Sequence, residues 1–202
     1  MATAFWIFVF LMTVVLHEVC HGWAAFLLGD TTAQRAGRLT LNPLRHIDPF
    51  WTVLLPALLF LSTHGRFAIG MAKPVPVDFS RLRRPKRDMI WVALAGPSAN
   101  IFLAMILNLW LKLSGLSILL YAIYLNLGIA VFNLIPIPPL DGSRILAGLL
   151  PRAWAYRLLK IESYGFAVIL LLYFSGALFY LVIPAVDFFC ALLDIPRISA
   201  RF

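Results

Sequence analysis

Val15-Leu16-His17-Glu18-Val19-Cys20-His21-Gly22 lies toward the far end of an apolar run that extends from Ala4 to Leu28. At a rise of 1.5 Å per residue, such a run makes a helix long enough to cross a hydrocarbon core of about 30 Å. A strongly polar side chain near the middle of a spanning helix costs about 2.5–3.5 kcal/mol on insertion scales, so His17, Glu18 and His21 together need a compensating partner. Their spacing suggests one. Positions i and i+4 of a helix lie about 40° apart on one face, so both imidazoles can reach a single metal ion. Glu18 stands beside them, placed to accept a proton from water.

The composition agrees with a chain that faces lipid. Of 202 residues, 62% are hydrophobic and 13% charged, and the mean hydropathy is +0.90. Soluble domains carry about 25% charged residues, so a water-facing globular domain is excluded. The net charge of +8 would suggest nucleic acid on a soluble chain, but no polar domain presents it here. The basic residues fall instead in short loops between apolar runs: Arg35, Arg38 and Arg45 in one, and Arg66, Lys73, Arg81, Arg83, Arg84, Lys86 and Arg87 in the next. Arg144, Arg152, Arg157 and Lys160 follow Asp141. That is the positive-inside pattern of a multispan protein. Cys20 and Cys190 fit neither a disulfide framework nor a zinc ribbon and are expected to be buried apolar residues.

Five apolar stretches emerge. Ala4 to Leu28, Met89 to Leu111, Leu113 to Leu140 and Tyr164 to Ile183 are each long enough to span. Pro49 to Ser62 has only 14 residues with Pro56 near its centre, the length of a re-entrant or interfacial segment. The amino end has no Lys or Arg before its apolar run, so a retained helix is expected rather than a signal peptide. Alternation in Gly37 to Leu41, and less cleanly in Arg66 to Gly70, predicts short surface strands. The expected fold is an all-α polytopic membrane protein with about four transmembrane helices. It forms one membrane-embedded unit over 1–202, with its core in 4–145 and a C-terminal helix and tail in 164–202.

Two imidazoles are too few for a catalytic zinc site, which commonly has three protein ligands and one water. Asp141 is the best candidate for the third. It ends an uncharged run in Asn133-Leu134-Ile135-Pro136-Ile137-Pro138-Pro139-Leu140-Asp141-Gly142, where the prolines break the helix and Gly142 permits a tight turn. Irregular backbone at membrane depth is tolerated inside protein or beside a water-filled cavity, so this segment is expected to line one. An ordinary loop carboxylate just past a helix end is the competing reading. His46, in a basic loop next to Asp48, is either a structural or surface histidine or a gating or inhibitory ligand. Asn100 and Asn108 are expected to bond helix to helix.

The H-E-x-x-H run, Gly96-Pro97-Ser98-Ala99-Asn100 read as a turn, and the Asn133 to Gly142 segment resemble, in order, three signatures of the site-2 protease family of intramembrane zinc metalloproteases. The Gly37 to Pro49 stretch resembles its short bacterial members, which lack PDZ and CBS domains. The resemblance covers about residues 10 to 145. It implies that His17, His21 and Asp141 bind Zn2+, that Glu18 is the general base, and that Asn133 steadies the substrate or its oxyanion. Gly96, Pro97, Asn100 and Gly142 would support the site. The implied activity is hydrolysis of peptide bonds in or near transmembrane segments of other membrane proteins. A membrane zinc transporter or metal sensor using the same ligands is the alternative.

Topology follows from parity. Residue 19 stands about 14 Å of helix from Leu28, so the metal lies nearer the side where Leu28 emerges. Asp141 must reach the same depth, so the crossings between Leu28 and Asp141 must be even in number. Of the three intervening apolar stretches, Pro49 to Ser62 is the one expected not to cross. The basic loops then face the cytoplasm of a cell (inner) membrane, with the active site opening to that side beneath the 63–88 loop, and Ala185 to Ile195 lies along the outer interface. The partners expected are the lipid bilayer and a transmembrane protein substrate.

Overall fold

The computed structural model describes residues 2–62, 64 and 73–199. Among them every regular element is helical. Helix α1 (Ala2–Leu27) runs unbroken through the His17–His21 pair. A short α2 (Thr32–Arg35) and a 3₁₀ turn (Pro43–His46) follow. Pro49–Leu54 is a π-helical stretch that continues into α3 (Leu55–Ser62). Then come α4 (Pro85–Ser114), α5 (Leu119–Leu134), α6 (Asp141–Leu149), α7 (Arg152–Lys160), α8 (Glu162–Phe174) and α9 (Ala177–Leu192).

Two helices, Phe5–Leu27 within α1 and Pro85–Ser114, are by themselves long and apolar enough to cross a membrane. α4 is longer than its uncharged run suggests. Pro85 occupies its first turn, where the missing N–H has no intrahelical partner to lose. Gly115 closes the helix in the left-handed region at φ 68°. α5 is correspondingly shorter than Leu113 to Leu140, because Pro136, Pro138 and Pro139 cannot continue a helix. The predicted span Tyr164 to Ile183 is divided at Ser175-Gly176, where Gly176 takes φ +76° and α8 and α9 meet at 82°. Ala185 to Ile195 does not stand apart from the helix before it. Most of it continues α9, and Val186 and Cys190 are buried against Ala104 of α4 and Ile123 and Leu127 of α5.

The helices alternate in direction. Arg83 N donates to Leu28 O at 3.0 Å, so the chain between α1 and α4 leaves and returns at one end of the layer. That contact is what the even-crossing argument requires of Pro49–Ser62. At the opposite end, Asn108 Nδ2 donates to Leu193 O at 2.8 Å, and Tyr124 Oη donates to Pro196 O at 2.8 Å. Asn108 thus bonds between elements as its buried position in an apolar helix suggests. α8 begins at the other end, where Gly165 lies so close to Pro138 O that a Cβ there would overlap it. The bent pair α8–α9 accordingly runs the length of the layer.

No strand forms at Gly37 to Leu41. Leu39 turns onto Gly22 of α1, where a Cβ would meet its Cδ2 at 2.7 Å. Thr40 O accepts from His46 Nε2 at 2.9 Å. Packing and a side-chain donor thus replace the ladder partners that alternation anticipates. The second predicted strand, Arg66 to Gly70, lies outside the described residues. His46 is wholly buried, and its own carbonyl accepts from Lys73 N at 2.8 Å. These contacts give it a structural place rather than a surface one.

Candidate metal centre

α1 carries His17 and His21 one turn apart on the face packed against α4 and α5, and both are buried. Asp141 is the first residue of α6, immediately after the proline-broken link from α5. Gly142 makes this junction possible: a Cβ there would stand 2.6 Å from Ile135 O and closer still to Leu134 O. The result brings together residues 120 or more apart in sequence. His17 Nε2 and His21 Nε2 lie 3.0 Å apart, and each is 3.1 Å from Asp141 Oδ2.

The surrounding hydrogen bonds orient both rings. His17 Nδ1 lies 2.6 Å from Asn100 Oδ1, and His21 Nδ1 lies 2.7 Å from Val92 O. Carbonyl oxygens only accept, so each Nδ1 carries a hydrogen, and each ring turns its Nε2, the atom then left to bind a metal, toward the other ring and Asp141. The Asn100 amide is itself oriented. Its Nδ2 donates to Asn126 Oδ1 at 2.9 Å and to Thr13 O at 3.4 Å, while Asn126 Nδ2 donates to Ala122 O at 2.8 Å. Two ring nitrogens and a carboxylate oxygen thus converge on one point, a set of atoms that a shared metal cation can hold together. Two imidazoles and a carboxylate suit Zn2+, whose tetrahedral bonds of about 2.0–2.2 Å hold ligand atoms about 3.3–3.5 Å apart. Three protein donors leave a fourth position for water or substrate.

Gly96 forms the wall behind this cluster. A Cβ there would lie 2.7 Å from His17 Nε2 and nearer to His21 Nε2, so glycine is what lets α4 come this close to the donors. The Gly96 to Asn100 sequence is not a turn, as its composition suggests, but the middle of α4. Pro97 is accommodated inside the helix, where it has no N–H to offer Ala93 O. One residue earlier, the Val92 carbonyl is engaged by His21.

Glu18 lies half-buried beside the histidines, and its Oε2 accepts from Val75 N at 2.9 Å. Val75 belongs to the extended strap Lys73–Asp78, whose prolines at 74 and 76 have no N–H. The strap is anchored further along by Asp78 N, which donates to Asp30 Oδ2 at 2.7 Å. Asp30 is fully buried, and its other oxygen caps Thr32 N at 2.9 Å. Asn133 is placed differently from the triad: among the described residues its Nδ2 donates one turn back to Ile129 O at 2.9 Å. The sequence reading overlooks Asn126 and Thr13, although an amide within the uncharged α5 run is itself a sign of a buried polar partner.

Similarity to known proteins matches this geometry. The model of Peptidase family M50 matches residues 110–176. Two curated bacterial relatives carry the name "Putative zinc metalloprotease". One, YwhC of Bacillus subtilis (strain 168), is 35% identical over 191 residues, 88% of this chain and 83% of the relative. The other, Rip2 of Mycolicibacterium smegmatis, is 32% identical over 178 residues, 83% of this chain and 66% of the relative. The chain belongs to peptidase family M50. No solved structure matches it significantly. Family membership makes it a membrane zinc metalloprotease. The cluster of His17, His21 and Asp141 is where this M50 peptidase could hold the metal.

The Asn126–Asn100–His17 chain is open to test. Replacing Asn126 with Ala leaves the Asn100 amide held only by the longer 3.4 Å bond to Thr13 O, and so loosens its hold on His17 Nδ1. Outer-shell changes of this kind typically weaken metal binding 10- to 100-fold. Competition with a chromogenic chelator is expected to report a loss in that range, with helix content unchanged.

Proposed function

We propose that this M50 peptidase is an intramembrane endopeptidase. It cuts peptide bonds in or near transmembrane segments of other membrane proteins, with His17, His21 and Asp141 holding Zn2+ and Glu18 as general base. The observation that carries this reading is the convergence of the three donor atoms at 3.0–3.1 Å, two of them on α1, a helix long and apolar enough to cross a bilayer. Zinc, when bound, supplies Lewis acidity that polarises the scissile carbonyl and lowers the pKa of the attacking water. Asn100 and the Val92 carbonyl hold the two imidazoles in the tautomer that binds metal. Glu18 accepts the proton of the attacking water and passes it to the leaving amine nitrogen. The Val75 N–H fixes one Glu18 oxygen and leaves the other to do this. Asn133 steadies the substrate or its oxyanion once the amide turns from Ile129 O.

The same reading makes the chain one membrane-embedded unit with four crossings. α1 runs inward, α4 outward, α5 inward and the bent α8–α9 pair outward, while Pro49–Ser62 stays on the side it enters. The Leu28–Arg83 contact supports this arrangement, as do the basic loops at that end of the layer. The site then opens toward the cytoplasm of a cell membrane. Proteoliposomes holding the purified peptidase and a single-span reporter with labels at both ends test the activity. Zinc-dependent release of a label from a cut within or beside the span is the expected result. Cleavage confined to soluble peptides would refute the intramembrane reading, and zinc flux without any cleavage would favour a transporter.

A further inference from the structure

An open groove of about 290 Å³ lies at the start of α4, lined by Phe79, Lys86, Met89, Ala147, Arg152 and Ala155 among others. α6 closes its floor by approaching α4 tightly: a Cβ on Gly148 would stand 3.0 Å from Lys86 O and nearer to the Ile90 side chain. The floor is apolar, formed by Met89 and Ala147, both buried. One wall is Phe79, with the Arg144 guanidinium 4.9 Å from its ring centroid.

The nearby carboxylates are already committed. Glu162 pairs with Arg144 at 2.7 Å, and Asp78 pairs with Arg81 at 2.9 Å. Asp88 accepts from Arg84 N at 2.8 Å. Among the described residues neither Lys86 nor Arg152 has a carboxylate partner. Depth follows from α4, a helix long and apolar enough to cross a membrane, whose charged first turn at Pro85 to Asp88 caps one end of that length. The adjoining α7 exposes Trp154 and Tyr156, with Arg157 5.4 Å from the Trp154 ring centroid, the mixture of a helix lying at the headgroup level. Two unpaired cations at the rim, an apolar floor directed along a spanning helix and interfacial depth together complement one kind of molecule.

We propose that this groove binds one anionic phospholipid, its phosphate between Lys86 and Arg152 and an acyl chain against Met89 and Ala147. This goes beyond the peptidase reading and does not depend on it. The test is native mass spectrometry of the full, zinc-loaded chain, titrated with phosphatidylglycerol, phosphatidylcholine or glycerol 3-phosphate. One phosphatidylglycerol per chain is expected, retained at least tenfold better than phosphatidylcholine and not displaced by an equal concentration of glycerol 3-phosphate. K86E/R152E is expected to reduce retention at least tenfold. A155W, which fills the groove without changing charge, should do the same. R157E/K160E alters the charge equally, outside the groove lining, and should leave retention intact. Zinc content verifies the fold of each variant, and K86Q/R152Q replaces the double reversal if that one fails to fold. Equal retention of both lipids, an equal loss in R157E/K160E, indifference to A155W, or displacement by glycerol 3-phosphate would each overturn the proposal.

Discussion

Glu18→Gln is expected to reduce peptide hydrolysis by about 10²–10⁴-fold, the range that a positioned general base contributes, while the protein keeps its zinc. The two results together are informative. Glutamine preserves the size of the side chain and can still accept from Val75 N–H through its amide oxygen, so the strap over α1 should stay in place. It cannot take a proton from water. Glu18 is not among the three converging donors, so the metal has no reason to leave. A variant that lost both zinc and activity would make Glu18 a ligand. One that lost neither would remove it from the mechanism. Because this variant should bind substrate without cutting it, trapping in native lipid followed by peptide mass spectrometry is also the direct route to substrate identity.

Gly96→Val is expected to abolish stoichiometric zinc binding. The added carbons would occupy the space of the two Nε2 atoms, since even a single Cβ lies 2.7 Å from His17 Nε2 and closer to His21. Relief requires moving either α4 or both rings. The rings cannot retreat without breaking the bonds to Asn100 and Val92, and overpacking of a tight interface typically costs about 1–3 kcal/mol even without a metal to displace. Gly128→Ala is the matched control, because a Cβ on Gly128 of α5 meets nothing within 4 Å. Its zinc content, measured by inductively coupled plasma mass spectrometry, should equal that of the unmodified chain. Equal zinc in the Gly96 variant would place the metal elsewhere.

Much of this arrangement was legible in the chain. His17 and His21 announce themselves because a polar pair at helical spacing is costly within an apolar run. Asp141 does so because prolines forbid helix just before it. Parity makes Pro49–Ser62 the stretch expected not to cross, and Arg83 does return beside Leu28. What escaped depends on tertiary contact. Gly96 looks like a turn residue beside Pro97, yet it sits in mid-helix because two imidazoles need the space of its missing side chain. Gly176 bends an otherwise uniform apolar run, a choice that local hydropathy does not encode. The alternation at Gly37 to Leu41 suggests a strand, but Leu39 finds its partner on α1 instead of across a ladder. Asn126 carried a usable signal, since an amide buried in an uncharged helix must find a partner; which one it finds depended on where α4 places Asn100.

The most direct test of the account is zinc K-edge absorption spectroscopy of the purified peptidase, alone and as Asp141→Ala. The account predicts one zinc per chain with two imidazole shells and an oxygen shell at about 2.0–2.2 Å, and loss of most of the metal when the carboxylate is removed. Full zinc retention in Asp141→Ala, or a first shell containing sulfur from Cys20, would contradict it.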